Sequence, residues 1–445
     1  MFENKKIFIL GMARSGFEAA KLLSKHNNQI FITDAKDQDP NQIEELRALG
    51  VTYETSLTPE EILDETYDYV IKNPGIRKDH PCVLKAHTLE IPVMNELEVA
   101  YAFLPKDLFI VGVTGSNGKT TTTTMLYDIL KKAGKKVFLA GNIGIPLSKM
   151  VEDIEKESIL VIEISDHQLL DMSHFKTNIS ILTNLSEVHI DFHGNYDNYK
   201  ATKKKIFNHH TKDDLAIINA DNEDSIKLTE DISSTKEYFS SKGKANADIE
   251  DDFICVDGEK VLDTHYIKLQ GNHNYENIMG VLLVLKRLNI SYKYAEDYLK
   301  EFGGVEHRIE YVGELHKRKF YNDSKSTNTE STITALKSFV SPTILLLGGY
   351  DRGHSFDPLI PYLGNVKEIL CYGETKERIL TFAKEQNIVG KSFDTLEEAT
   401  KEAYKDSLEG DIILLSPACA SWDQYKCFED RGNEFKKIVK ELERR

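Results

Sequence analysis

The sequence lacks net positive charge, lacks an apolar run long enough to cross a membrane, and lacks cysteines at metal-binding spacing. Each absence removes a class of function. With 56 basic against 72 acidic residues the net charge is −16, which repels a nucleic-acid backbone, and the only dense basic run is Lys200–Lys205. The five cysteines, Cys82, Cys255, Cys371, Cys419 and Cys427, are odd in number and show no C-x-x-C pattern. They read as reduced thiols, which points to the cytoplasm. The apolar stretch before Gly11 is too short for a signal peptide, and no membrane insertion is expected. What is present is 445 residues, 40% hydrophobic and 29% charged, enough for about three globular domains.

Two glycine motifs are each one glycine short. The stronger is Val111–Thr124, VGVTGSNGKTTTTT, between an apolar β-rich run at Leu108–Val113 and a helical pattern through Met125, Leu126, Ile129, Leu130 and Ala133. A glycine-rich turn ending in Lys-Thr between strand and helix cradles phosphate: Gly115, Ser116, Asn117, Gly118 and Thr121 line the loop, Lys119 reaches the β/γ oxygens, and the Thr120 hydroxyl ligates Mg²⁺. ATP binding is therefore expected. The general pattern places its first glycine where this chain has Val113. The second motif follows the strand Lys6–Leu10, as Gly11-Met12-Ala13-Arg14-Ser15-Gly16, with Asp34 ending the next strand where a dinucleotide fold puts a ribose-binding acid. Ala13 takes the place of the middle glycine, which disfavours a nicotinamide cofactor but leaves room for uridine or another single nucleotide on Arg14, Ser15 and Asp34.

Further along, Gly141-Asn142-Ile143-Gly144 offers the Asn142 amide to a phosphate or base. The strand Ser158–Ile164 carries Glu163, whose burial calls for a partner such as Mg²⁺. His189, Asp191 and His193 resemble a zinc set in spacing, but no cysteine accompanies them and the hard oxygens of ATP favour Mg²⁺. The lysines of Asn198–Asn208 read as a solvated helix face, with room for one exception. Asn274 and Asn277, three apart on one helix, suit an adenine edge or an N-cap. In the last third, three strands run into polar loops: Asp323-Ser324-Lys325-Ser326, Gly348-Gly349-Tyr350-Asp351-Arg352, and Ser416-Pro417-Ala418-Cys419-Ala420-Ser421. Asp323 and Lys325 suit a phosphate or carboxylate site, and three such loops at one sheet edge make a binding site. The fold class is α/β in three domains: a Rossmann-like domain over 1–100, a central P-loop ATPase domain with a mainly parallel sheet over 101–304, and a C-terminal Rossmann-like domain over 305–445.

In order, TGSNGKT, GNIG, VIEIS, SEVHID, GNHNYEN, EHR, NDSKSTN, GGYDRG and LLSPACASWDQYKCFEDRG resemble the Mur ligases along nearly the whole chain. The family's shorter loop, G-x-N-G-K-[ST], accounts for Val113. The resemblance implies a cytoplasmic ATP-dependent ligase, a monomer, that joins D-glutamate to UDP-N-acetylmuramoyl-L-alanine through an acyl phosphate. It implies two Mg²⁺ ions held by Thr120, Glu163 and His189, with a carbamylated Lys203 as a further ligand, and catalytic roles for Lys119, His189, Lys203 and Lys325. It places Asn274, Asn277, Arg308 and Asp323 at the nucleotide, and Arg352, Ser421 and Phe428 at D-glutamate. Ser165 falls on the UDP-sugar side, in a run where the family's common Ser-Ser-Phe-Gln is here Ser165-Asp166-His167-Gln168. Arg352 stands where relatives have a lysine, and Trp422 where an aliphatic residue is expected. The alternatives are a sister ligase that adds another amino acid, including a folylpolyglutamate-type enzyme, and a non-catalytic nucleotide sensor.

Overall fold

The computed structural model describes residues 2–269 and 271–444, with the side chains of residues 191 and 330 outside the described set. The chain forms two compact units that divide between Phe302 and Gly303. Among the described residues, the first unit holds two sheets and the second holds one.

The β-rich runs at the chain start fold into five parallel strands, in spatial order Thr52–Thr55, Gln29–Asp34, Lys6–Leu10, Tyr69–Lys72 and Val93–Met94. Lys6–Leu10 enters at the centre and is flanked by strands reached in opposite directions, which opens a crevice at its carboxyl end. That is where the Gly11–Gly16 turn lies. The second sheet has nine strands, of which the core is parallel: Thr235–Phe239, Leu215–Asn219, Ile179–Leu182, Phe109–Thr114, Ile159–Glu163 and Val137–Gly141. An antiparallel meander, Ala247–Glu250, Phe253–Val256 and Glu259–Asp263, extends one side. Phe109–Thr114 lies between Ile179–Leu182 and Ile159–Glu163, with Val113 opposite both Glu163 and Ile181. Val113 is fully buried in this ladder and the turn begins only at Gly115, so no glycine is needed at 113. The helix Lys119–Lys132 follows, burying Met125, Leu126, Ile129 and Leu130 on the sheet.

Buried polar ties hold the two sheets of this unit together. Lys72 reaches Asp171 at 2.6 Å, and Glu96 and Glu98 accept the backbone N–H groups of Ser148 and His174, each at 2.6 Å. Burial pushes Glu96 from an ordinary 4.5 up to about 7, against the opposing Ser148 hydrogen bond. Between those values the folded chain keeps a proton that the unfolded chain has released. This group's contribution to stability is therefore present at low pH and is lost as pH rises through about 7. Glu96→Gln should raise stability by about 2 kcal/mol at pH 8 and change it little at pH 5. Urea unfolding at both pH values checks this, and an equal effect at the two would count against it.

The second unit is a six-stranded sheet in the order Glu310–Leu315, Arg318–Asn322, Ile412–Leu415, Thr343–Gly348, Val366–Tyr372 and Val389–Phe393. The first pair is an antiparallel hairpin and the other neighbours are parallel. Arg318–Asn322, Ile412–Leu415 and Thr343–Gly348 are consecutive in space, so the three polar loops that follow them emerge side by side.

Candidate active site

In the first unit the site is built around the loop Gly115–Thr120. Gly115 has φ +141°, and a Cβ there would lie 2.0 Å from the Thr183 hydroxyl oxygen; at Gly118, φ +83°, it would lie 2.3 Å from Asn277 Oδ1. Only glycine admits this close approach with a left-handed backbone. Thr183 Oγ1 donates to the Asn117 carbonyl at 2.5 Å, Asn117 N–H donates to Asn184 Oδ1 at 3.0 Å, and the Ser116 and Tyr199 hydroxyls meet at 2.7 Å. The loop is thus pinned from the neighbouring strand end and from the helix Tyr196–Lys204. Lys119 Nζ donates to the carbonyls of Gly115 and Ser116, both at 2.8 Å, and so arches over the loop at the helix start, where backbone amides and the helix dipole attract phosphate. Thr120 is buried at the first turn, Thr121 is half-buried, and Thr122 Oγ1 lies 3.2 Å from Asn277 Oδ1.

Glu163 ends the adjacent strand almost completely buried. Its Oε1 accepts the Asn142 side-chain N–H at 2.8 Å, while Oε2 is buried with no hydrogen-bond partner among the described residues. An orphaned carboxylate oxygen at a phosphate loop, with the Thr120 hydroxyl on the next strand's exit, fits a hard dication. Asn142, expected at a phosphate or base, also orients Glu163.

Lys203 is the exception among its run of lysines. It is fully buried, with Nζ 3.2 Å from Thr114 Oγ1 and 3.5 Å from Asp166 Oδ1. Burial and the nearby Lys119 charge pull it down to about 7, against the opposing pull of Asp166 and Glu163. Asp166 also gathers the histidines: His189 Nδ1 lies 3.1 Å, His193 Nε2 2.8 Å and His167 Nδ1 3.3 Å from its Oδ2. Burial would raise the Asp166 carboxyl, but the His189 hydrogen bond and the Lys203 and His167 charges outweigh it and hold the group below the usual carboxylate range. His189 itself has φ +55° at the start of the short helix Ile190–His193. The Asp191 side chain, part of the expected histidine cluster, lies outside the described residues.

Other expected contacts have structural partners in this unit. Asp34 Oδ2 accepts the Met12 N–H at 2.8 Å and so grips the glycine turn itself. Arg14 reaches the Gly144 carbonyl at 3.0 Å, and Ser15 lies in the first turn of the helix Arg14–Ser24. Ser165 caps the helix Asp166–Leu170 in a reciprocal box with Gln168. Asn274 and Asn277 both lie in the first turns of the helix Asn272–Arg287, and Asn277 is the one packed on Gly118.

The second unit has its own cluster. Asp323 is buried, accepts Ser416 Oγ at 2.6 Å and Ile309 N–H at 3.2 Å, and is pushed up to about 6 by burial despite those bonds. Exposed Arg308 lies between His307 at φ +62° and Ile309 at φ +46°. A branched residue there is a strained conformation of the kind that clusters at functional sites. Lys325 Nζ lies 5.9 Å from the Phe428 ring centre, and Arg352 stacks its guanidinium 4.5 Å over the exposed Trp422 ring. Ser421 is buried and accepts the Tyr425 N–H at 2.8 Å through its carbonyl. The residue that organises these loops is Arg431. It is fully buried and donates to Ser324 Oγ at 3.0 Å and to the carbonyls of Ser324 at 2.9 Å, Cys419 at 3.0 Å, Ala420 at 3.3 Å and Gly348 at 3.4 Å.

Three family models cover the chain: the Mur ligase MurD-like N-terminal domain at residues 5–95, the Mur ligase middle domain at 113–285, and the Mur ligase glutamate ligase domain at 307–419. Proteins named UDP-N-acetylmuramoylalanine–D-glutamate ligase from Bacillus cereus strain AH187 and Bacillus anthracis strain A0248 are each 41% identical over 99% of this chain and 98% of their own. The chain belongs to the Mur ligase family. As a Mur ligase it is an ATP-dependent ligase. Its fold is shared by the UDP-N-acetylmuramate–alanine ligase of Thermotoga maritima, with a TM-score of 0.60 and 20% identity over 98% of this chain and all of that one. MurF of Acinetobacter baumannii aligns with a TM-score of 0.57 and 15% identity over 93% and 92% of the two chains.

Several residues of this Mur ligase carry weight that sequence reasoning did not assign. Thr183 and Asn184 brace the phosphate loop, and Tyr199 and Thr114 face Ser116 and Lys203. Arg431 was visible as the arginine of FEDRG, but nothing in its neighbourhood of sequence says that it faces carbonyls from three distant loops.

Proposed function

We propose that this Mur ligase joins D-glutamate to UDP-N-acetylmuramoyl-L-alanine, in cytoplasmic synthesis of peptidoglycan precursor. The full-length likeness to ligases named for that reaction carries the reading. A carboxylate is a poor acyl donor, because it is anionic and lacks a good leaving group, so the γ-phosphate of ATP first passes to the substrate carboxylate. The acyl phosphate then has a good leaving group, and the D-glutamate amine attacks it through a tetrahedral intermediate to give amide, ADP and phosphate. Mg²⁺ supplies charge neutralisation between the two anions that meet in the first step.

This chain's residues set the stage for it. Gly115–Gly118 amides and Lys119 bind and orient the phosphates. Thr120, Glu163 and His189 would hold Mg²⁺, with Asn142 fixing the Glu163 carboxylate. Lys203, carbamylated, would present an anion at the same place. Asn274 and Asn277 face the adenine side, Arg308, Asp323 and Lys325 serve the nucleotide and acyl phosphate, and Arg14, Ser15, Asp34 and Ser165 serve the UDP-sugar. Arg352, Ser421 and Phe428 receive D-glutamate, where a guanidinium can bind a carboxylate bidentately.

The test is phosphate release from ATP, Mg²⁺ and UDP-N-acetylmuramoyl-L-alanine with each of a panel of amino acids. D-glutamate should be the preferred acceptor by at least about a hundredfold, since charged-group recognition discriminates strongly. Preference for another amino acid would make the chain a sister ligase, and no release with any of them would sink the reading.

A further inference from the structure

We infer that Asp166, His167 and His189 form a transition-metal site in the nucleotide-free protein, taking a dication of the Mn²⁺, Co²⁺ or Zn²⁺ class through one carboxylate and two imidazole nitrogens. One ligand atom from each residue lies within 4.8 Å of the others. The separations from Asp166 Oδ2 are 3.1 Å to His189 Nδ1 and 3.3 Å to His167 Nδ1. Ligand bonds of about 2.0–2.1 Å in a tetrahedral shell put neighbouring ligand atoms about 3.3 Å apart, so the three atoms already span such a shell.

The surroundings hold these atoms in place. Asp166 is almost fully buried, and its Oδ2 accepts from His193 Nε2, equally buried, at 2.8 Å, the outer contact that orients a ligating carboxylate. Lys203 approaches the other oxygen, Oδ1, and leaves Oδ2 to the rings. The His167 ring is fixed 4.0 Å from Phe192 and 5.1 Å from His189, centre to centre.

Imidazole decides the class of ion. A site with only carboxylate and hydroxyl oxygens suits Mg²⁺, whereas two ring nitrogens favour first-row transition ions.

The experiment is a Co²⁺ titration of the full-length, metal-stripped protein without nucleotide or substrate, read by visible absorption. Its outcome is therefore independent of the ligase reading. One equivalent should develop the strong visible bands of a four- or five-coordinate nitrogen–oxygen site. His167→Phe, a substitution at a partly exposed ring, should lose the bands and weaken binding at least about tenfold, as should Asp166→Asn. Glu163→Gln should keep them. A wild-type spectrum like that of the hydrated ion, unchanged binding in His167→Phe, or loss of the bands in Glu163→Gln would each overturn the assignment. Should Asp166→Asn fail to fold, His167→Phe and Glu163→Gln decide the matter together.

Discussion

Lys203→Ala is expected to lower ATP-dependent phosphate release by about two to three orders of magnitude, and formate or another short carboxylate to restore part of it. The reason is where the side chain ends. Lys203 is fully buried beside Thr114 and Asp166, and burial together with Lys119 pulls it down to about 7. Near pH 8 most of it is therefore neutral amine, the form that adds carbon dioxide to become a carbamate. The modification turns a cation that repels Mg²⁺ into an anion that attracts it. Alanine leaves a cavity that a small carboxylate can enter, returning the missing negative charge without the missing chain. Single-turnover phosphate release with and without formate checks both halves. A mutant as active as wild type would refute the role of Lys203, and a dead mutant indifferent to formate would refute the carbamate.

Arg431→Met should destabilise the second unit by about 3 kcal/mol and raise the KM for the amino acid. Hydrogen bonds from a charged donor are worth about 1.5–3 kcal/mol, and removing this donor leaves buried carbonyls of Ser324 and Cys419 without it. The same side chain ties together the loops after Asn322, Gly348 and Leu415, so their relative positions loosen as well. Arg431→Lys keeps the charge, but its single ammonium cannot reach as many carbonyls as the guanidinium fork and should recover only part of the loss. Urea unfolding followed in the second unit, alongside steady-state kinetics, checks this. If Arg431→Met were as stable as wild type, the cross-link would be incidental.

The phosphate loop was legible in sequence because its own signature is local: glycines for the turn, Lys119 and Thr120 at the helix start, and apolar periodicity on either side; its braces, Thr183, Asn184 and Tyr199, come from far along the chain and were not. Strands were legible too, and Lys6–Leu10 falls at the residues the pattern predicts. Glu163 could be singled out because a carboxylate in an apolar run conflicts with its surroundings. Residues whose neighbours come from far along the chain behaved differently. Asn142 reads as a ligand contact and also steadies Glu163, while Asp34 reads as a ribose acid and also holds the Met12 amide, contacts that the sequence does not announce.

The Lys200–Lys205 run shows the division most sharply. By residue pattern alone its lysines read as a solvated face with room for one exception, which the family resemblance places at Lys203; in the fold Lys203 alone points fully inward, because the helix phase turns that position toward Thr114 and Asp166. The sequence by itself determined the α/β class, the strand-and-loop sites and the phosphate chemistry, since those depend on residue type and short-range spacing. Only the tertiary structure decided which ionisable groups are desolvated and which meet: Asp166 with three histidines, Lys203 with Asp166, and Arg431 with three loops. Burial and proximity set charge state and ligand geometry, and neither is a property of a residue's place along the chain.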